Sequence, residues 1–396
     1  MIYRRREIDQ LKNLIARYPV VGILGARQVG KTTLAHMLVK PLGRKSHFFD
    51  LEDSEDLALL ADPGLSLKKL QGLVVIDEVQ RRPEIFPALR VLADKRPRRT
   101  RYLVLGSASP HLLRQSSESL AGRVAFHELS GFGFDEVPKK DWEKLWLRGG
   151  FPLSFLSQSG AESEDWRRRF IRTFLERDLP ELGITVRSTT LHRFWSMLAH
   201  YHGQTWNASE FGRAFGVADT TVRHYLDILT SALVVRQLRP WHENISKRQV
   251  KAPKIYIRDS GMLHTLIGVK SQTDLEKHPK VGASWEGFIL NQVIRRLNVE
   301  SEDCYFWATH AGAELDLLIP YGRKKFGFEI KRTTQPQITP SMRSALSDLK
   351  LTRLDVIHAG NTTFDLHKKI RAVSWKRLLK DIRTITPTAA KGLGRN

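Results

Sequence analysis

Apolar residues follow two rhythms along this chain. In the first third they form continuous blocks: Val20-Val21-Gly22-Ile23-Leu24, Leu73-Val74-Val75-Ile76 and Tyr102-Leu103-Val104-Leu105. Each block is closed by glycine or acidic residues, and runs of that kind predict buried strands. A further strand is expected over 124–129. From 132 to 190 the rhythm becomes helical, as in Asp165-Trp166-Arg167-Arg168-Arg169-Phe170-Ile171, with a break at Gly149-Gly150-Phe151-Pro152.

The next segment has sharper punctuation. Asn207, with Glu210 three residues on, opens a short helix that ends at Gly216. Asp219 caps a second helix whose Val222, Tyr225, Leu226 and Leu229 share one apolar face, leaving Thr220, Thr221, Arg223, His224 and Asp227 opposite. Two short helices around a glycine turn predict a helix-turn-helix, with the second in the recognition position. Residues 233–238 and 254–257 would form a two-stranded wing with a basic tip at 242–251 that holds Lys247 and Arg248. Such a unit either touches DNA or serves as a packing element.

Composition narrows the class. With 41% hydrophobic and 27% charged residues, the chain reads as globular, and its longest apolar runs fall far short of a membrane span. The basic N-terminus has no apolar segment behind it, so no secretory signal is expected. Cys304 is the single cysteine, which excludes an intrachain disulfide and fits a reducing cytoplasm. The net charge of +22 changes the picture most. Four basic clusters carry it: 95–99, Arg167-Arg168-Arg169, Lys247-Arg248 with Lys251, and Arg323-Lys324-Lys325. Read without an acidic counterweight, they favour a polyanionic partner, and DNA before others.

The first strand runs into Gly25-Ala26-Arg27-Gln28-Val29-Gly30-Lys31-Thr32, which satisfies G-x-x-x-x-G-K-[ST], and Thr33 continues into a helix. A strand, a glycine turn and a helix N-terminus aim backbone N–H groups and a positive dipole end at phosphate. ATP is the expected ligand. Lys31 would reach its β- and γ-phosphates, Arg27 could touch phosphate, and the Thr32 hydroxyl would take a Mg²⁺ position. The second strand ends in Asp77-Glu78, where Asp77 would hold Mg²⁺ and Glu78 would polarise the attacking water. Ser107, at the end of the third strand, is placed to sense the γ-phosphate. Arg123 is open to two readings: an arginine that stabilises phosphoryl charge, in cis or across a subunit interface of a homo-oligomer, or a salt bridge where a strand begins.

These residues, with Gly106-Ser107-Ala108-Ser109 and Leu120-Ala121-Gly122-Arg123, resemble predicted AAA-type ATPases of bacteria and archaea that carry a C-terminal domain of unknown function. The resemblance implies an AAA-like ATPase and leaves the physiological role open. By the same analogy 132–190 would be a helical lid over the nucleotide. Its Glu176-Arg177-Asp178 triplet reads as a solvated helix face.

In the C-terminal third, a helix over 285–297, capped by Ser284, places Glu286 on the face of Leu290, Val293 and Leu297. Glu286 either complements the helix dipole or points into a site. Residues 314–319 and 326–331 predict a hairpin that brings Asp316 near Glu329 and Lys331, a set able to hold Mg²⁺ beside a scissile phosphate. This order of Glu286, Asp316, Glu329 and Lys331 resembles the PD-(D/E)xK nuclease superfamily, although Leu315 stands where proline is usual. The resemblance leaves cleavage and a degenerate, binding-only fold both open.

The expected fold class is thus α/β: a P-loop AAA-like ATPase core with a parallel sheet (1–131), a helical lid (132–190), a winged helix (191–258), a restriction-endonuclease-like α/β domain (259–384) and a flexible tail (385–396). The function expected first is a DNA-directed ATPase with a Mg²⁺-dependent nuclease, and second a non-cleaving nucleotide switch that binds DNA or protein.

Overall fold

The apolar blocks of the N-terminal third become strands, and a less apolar one joins them. The computed structural model describes residues 2–40, 46–97, 99–107, 120–243 and 245–385, with only the backbone of Ser107. Strands β1 (Val20–Gly25), β2 (Ser46–Asp50), β3 (Gly72–Asp77), β4 (Thr100–Ser107) and β5 (Val124–Glu128) form a parallel sheet in the order β2-β3-β4-β1-β5. Every residue of β1 is buried, as expected of a central parallel strand. Helices α1 (Arg5–Arg17), α2 (Lys31–Val39) and α3 (Ile85–Asp94) accompany the sheet. Leu24, Val74, Ile76 and Val104 share a core with Phe86 and Leu89 of α3. Register sets Gly25 beside Ser107 and Asp50 beside Asp77, so the ends that matter for chemistry gather at one edge.

Helix α4 (Gly160–Thr173) starts with a full capping box between Ser159 and Glu162. It runs on into a π-helical turn, Phe174–Asp178, whose wider winding turns the side chains that follow away from the 3.6-residue pattern.

The chain divides into two compact units. The first holds Met1–Val137, Gly149–His192 and His224–Val234, and the second Pro138–Arg148, Arg193–Arg223 and Val235–Asn396. The expected lid segment is therefore split. Its helix Trp142–Arg148 belongs to the second unit, where Trp142 lies 5.9 Å from Trp375 and Trp146 lies 5.1 Å from Trp285, centroid to centroid.

The second unit is built on one mixed sheet of β6 (Gln204–Thr205), β7 (Val235–Pro240), β8 (Lys254–Ile257), β9 (Tyr305–Ala308), β10 (Glu314–Tyr321), β11 (Lys324–Lys331), β12 (Arg353–His358), β13 (Phe364–His367) and β14 (Ile370–Ser374). Their order is β13-β14-β12-β11-β10-β9-β7-β8-β6. The expected wing strands β7 and β8 pair with each other, yet β7 also pairs in parallel with β9. The boundary expected at 258 thus falls inside a continuous sheet. Its loop is stitched down as well: Trp241 N donates to Phe306 O and Val250 N to Ala308 O. Pairing with β9 satisfies a strand edge that would otherwise stay open.

Helices α5 (Ala208–Phe215) and α6 (Asp219–Ser231) follow the expected turn. Asn207 accepts from Glu210 N, Gly216 adopts φ 65°, and Ser209 donates to Asp219 Oδ2 at 2.7 Å. A Cβ on Gly212 would lie 2.9 Å from Val217 O, so this close turn needs glycine. On α6, Val222, Leu226 and Leu229 are buried, and Thr220, Arg223, His224 and Asp227 are exposed.

Helix α7 (Val281–Leu297) begins earlier than expected. Ser284 is consequently no cap: its buried Oγ lies 3.0 Å from Trp146 Nε1, which donates to it, and 2.7 Å from His264 Nε2. Helix α8 (Pro340–Asp348) packs Met342 and Ala345 against Trp307, Leu315, Leu318, Leu354 and Val356. Among the described residues, no helix is long and apolar enough to cross a membrane.

Candidate functional site

At the C-terminal edge of the first sheet, the chain turns sharply between β1 and α2. Gly25 must be glycine there, because a Cβ would sit 2.7 Å from Leu129 O. Gln28 and Gly30 take positive φ, 59° and 97°. Ala26 and Val29 are buried, so what they can offer a ligand is backbone, and Gln28 and Thr33 are exposed. Lys31 is 5% exposed, and its Nζ donates to the Gly25 and Ala26 carbonyls at 3.2 and 3.3 Å. Thr32 Oγ1 donates to Asp77 Oδ2 at 2.5 Å, which joins the glycine loop to the end of β3. Glu78, left-handed at φ 51°, accepts a hydrogen bond from the Gln80 side chain.

Burial lowers the Lys31 pKa, and Glu78 and Asp77 offset this only in part. Burial raises that of Glu78 against the pull of Lys31. A cavity of about 260 Å³ opens beside these groups, lined by Gly25, Arg27, Glu78, Gln80, Arg177 and Asp178 among others.

Asp178 corrects the expected solvated face. It is buried, and its Oδ1 accepts from Arg27 Nη1 at 2.5 Å, while Glu181 takes the same nitrogen at 3.1 Å. The π-helical turn that ends at Asp178 swings it inward, which helical periodicity could not signal. Arg123 is corrected too, for action in cis. Val124 is level with Val20 at the far edge of the sheet, roughly 17 Å or more from Gly25 along the strands. There Arg123 Nε donates to Asp94 Oδ1 at 2.7 Å, which is the salt-bridge reading. Ser107 ends β4 level with Gly25, and its side chain lies outside the described residues.

A second cluster lies in the second unit. Glu286 of α7, Asp316 of β10, and Glu329 and Lys331 of β11 line one pocket with Glu314, Thr339 and Ser341. Because α7 starts at Val281, Glu286 is past its first turn, and the dipole reading gives way to the site reading. Its Oε1 accepts from Tyr256 Oη at 2.6 Å. Asp316 Oδ2 accepts from Ile330 N at 2.8 Å, and Lys331 Nζ lies 2.7 Å from Glu329 Oε1. Glu329 Oε2 is buried and has no hydrogen-bond partner among the described residues.

One member was missed from sequence. Lys254 of β8 is buried among these acids, with Nζ 3.6 Å from Glu286 Oε1 and 3.8 Å from Asp316 Oδ1, and it is ion-paired to Glu314. The available signal was Lys254 and Tyr256 sharing one face of a strand whose other face is Ile255 and Ile257. Burial and Asp316 push Glu286 up to about 7 and Glu329 up to about 8, against Lys254 and Lys331 respectively. Burial alone would lower Lys254, but Tyr256, Glu286, Asp316 and Glu314 hold it well above the usual lysine range.

Comparison with known proteins gives these sites a frame. Residues 17–138 match an AAA domain, 139–273 a domain of unknown function (DUF8612) and 281–378 another (DUF4143). The chain is 49% identical over 379 residues to the uncharacterized proteins Rv2008c of Mycobacterium tuberculosis and Mb2031c of Mycobacterium bovis, covering 96% of this chain and 85% of each relative. It belongs to their family. This family member is an AAA-type P-loop ATPase. Among solved structures it is similar to the Walker-type ATPase PABY2304 of Pyrococcus abyssi, at 16% identity over 67% of this chain and 96% of that one, with a TM-score of 0.46. It is also similar to the RuvB Holliday junction branch migration motor of Thermotoga maritima, at 16% identity over 60% and 90%, with a TM-score of 0.29.

The basic clusters of this family member have more acidic counterweight than expected. Arg167 is buried against Ser154 and Ser163, while Arg168 and Arg169 pair with Glu164 and Asp165 one turn away. Lys247 pairs with Asp348 at 2.7 Å, and Lys325 pairs with Glu243. Of the DNA-facing candidates, Thr220, Arg223, His224 and Arg248 are exposed and Thr221 is half-buried.

Proposed function

We propose that the chain is a Mg²⁺-dependent ATPase that works as a nucleotide switch on nucleic acid without cutting it. The observation that carries this reading is the Thr32–Asp77 hydrogen bond beside buried Lys31. One hydroxyl and one carboxylate held together at a helix N-terminus suit Mg²⁺, and the residues fit that ion. When bound, it would neutralise charge on the β- and γ-phosphates. Lys31 exchanges its carbonyl partners for phosphate oxygens. Glu78, oriented by Gln80, accepts a proton from the attacking water, and its raised pKa suits that role. Arg27, on the cavity wall, is a nearer source of positive charge than Arg123.

The acidic pocket of the second unit does not fit Mg²⁺ as arranged. Lys254 already faces the carboxylates, its Nζ 3.6 Å from Glu286 Oε1 and 3.8 Å from Asp316 Oδ1. Binding rather than cleavage follows, with the net charge of +22 and the exposed face of α6 as its footing. One observation favours cleavage instead, the unpartnered Glu329 Oε2. The test offers duplex, single-stranded and branched DNA with Mg²⁺ or Mn²⁺, with and without ATP. Salt-sensitive binding with intact DNA supports the switch. Cleavage that disappears in Lys331→Ala overturns it in favour of a nuclease, and salt-insensitive or absent binding removes nucleic acid as the partner.

A further inference from the structure

The acidic pocket of the second unit contains a cation that the chain itself supplies. Lys254 is 4% exposed, and carboxylates from α7 and β10 converge on its ammonium: Glu286 at 3.6 Å, Asp316 at 3.8 Å, and Glu314 in a direct ion pair. An ammonium carries three donors, and three carboxylates face it. The ring of Phe306 backs the same nitrogen, its centroid 5.7 Å away. Two residues further along β8, Tyr256 donates to Glu286 Oε1. Asp316 uses its other oxygen on Ile330 N. Glu286 Oε1 and Asp316 Oδ2 are thus taken by other donors, and Lys254 sets a positive charge within 4 Å of both acids, while Glu329 Oε2 has no hydrogen-bond partner among the described residues.

Order in the sheet explains how the lysine arrives. β7 pairs with β9, and β8 lies on the far side of β7, so the expected wing is part of the sheet that carries Asp316. Lys254 reaches across from there on a long side chain. A buried charge of this kind persists only when it is matched by opposite charge. Lys331 does the same for Glu329 on the other side of the pocket.

We propose that the Lys254 ammonium occupies the cation position of this pocket in place of a divalent metal, so that the acidic cluster is neutralised by the chain and joins β8 to β10 and α7. The pocket is then a latent metal site, masked by one lysine. Its masking is independent of whether the first unit hydrolyses ATP.

The experiment titrates the whole chain, free of nucleotide, with Mn²⁺ and follows free Mn²⁺ by electron paramagnetic resonance. Only binding lost on adding Asp316→Asn is counted, which separates this pocket from Thr32 and Asp77. Wild type and Lys254→Arg are expected to show no such binding, whereas Lys254→Met binds at least about tenfold more tightly, because the carboxylates lose their counter-ion. Lys254→Gln, nearer in polarity, gives the same reading should the methionine variant unfold. Asp316-dependent Mn²⁺ binding by wild type that is as tight as in the Lys254 variants overturns the proposal. So does a folded Lys254 variant that gains none.

Discussion

Each unit buries a lysine among carboxylates, and the two lysines behave in opposite ways. Lys31 and Lys254 are 5% and 4% exposed, so burial acts on both alike. Lys31 has Asp77 and Glu78 nearby, but its hydrogen bonds go to two carbonyls, and its pKa is lowered. Lys254 faces Glu286, Glu314 and Asp316, and burial is overcome, so its pKa is raised well above normal. The direction of each change reports what its surroundings lack. Around Lys31 the carboxylates of Asp77 and Glu78 offset burial only in part, which leaves the glycine loop ready for a polyphosphate. The acidic pocket has its positive charge already. The same pair of residue types thus makes a ligand site in one unit and a closed ion-pair network in the other.

The largest effects should fall on turnover in the first unit. Lys31→Ala and Glu78→Gln are each expected to lower ATP hydrolysis by at least about 10²-fold, since each removes charge stabilisation or proton transfer at the phosphoryl group. Glu78→Gln should still bind ATP. Hydrolysis unchanged in both variants would sink the assignment of Gly25 to Thr32 as the catalytic loop.

Stability should separate the lysines in the reverse sense. Lys254→Ala leaves buried carboxylates without a counter-ion and is expected to cost about 3–5 kcal/mol. Lys31→Ala removes a poorly compensated buried charge, so its unfolding midpoint should stay level or rise. Denaturant unfolding of the two variants reads this directly. Equal losses would mean that the contrast in charge balance has no energetic content.

A smaller effect tests the acids around Lys254. The Glu329 carboxyl, pushed up to about 8 by burial and Asp316, lies far above its unfolded value of about 4.3. A raised folded pKa contributes stability that is fully present below the unfolded value and is lost as pH rises through the folded one. Glu329→Gln has no such loss. The stability of this variant relative to wild type should therefore increase between about pH 5 and pH 9. Parallel stability curves over that window would show that Glu329 is not held protonated.

How far the sequence reached differs between the two sites for a physical reason. The glycine loop was legible because phosphate binding fixes a local backbone path, and Gly25, Gly30, Lys31 and Thr32 write it in consecutive residues. Asp77 and Glu78 were legible as the acidic end of an apolar strand. The parallel sheet followed from the same blocks. The hairpin of β10 and β11 was readable from alternation. Lys254 was not, because its partners come from other elements and its strand reads as a wing until β7 is seen to pair with β9. Asp178 was hidden by a π-helical turn, and Ser284 was misplaced by the early start of α7. For Lys254 tertiary pairing overrides a local rule, and in the other two cases the helix departs from the regular winding or start that the sequence suggests.

The smallest expected effect concerns Arg123, and it sharpens which positive charges serve the nucleotide. Arg123 sits at the edge of the sheet opposite Gly25 and pairs with Asp94 on an exposed surface. Exposed pairs of this kind contribute little to stability, so Arg123→Ala should fold normally. In cis it is too far from Lys31 to act on phosphate. Hydrolysis per chain should therefore stay within about twofold of wild type, far short of the roughly 10³-fold or greater loss that removing a phosphoryl-stabilising arginine produces. The comparison to make is with Arg27→Ala, whose guanidinium lies on the cavity wall and is shared by Asp178 and Glu181. A large loss for Arg123→Ala that grows with protein concentration would place the residue at a neighbouring copy's nucleotide, where it would supply from outside the chain positive charge that the phosphoryl group draws on.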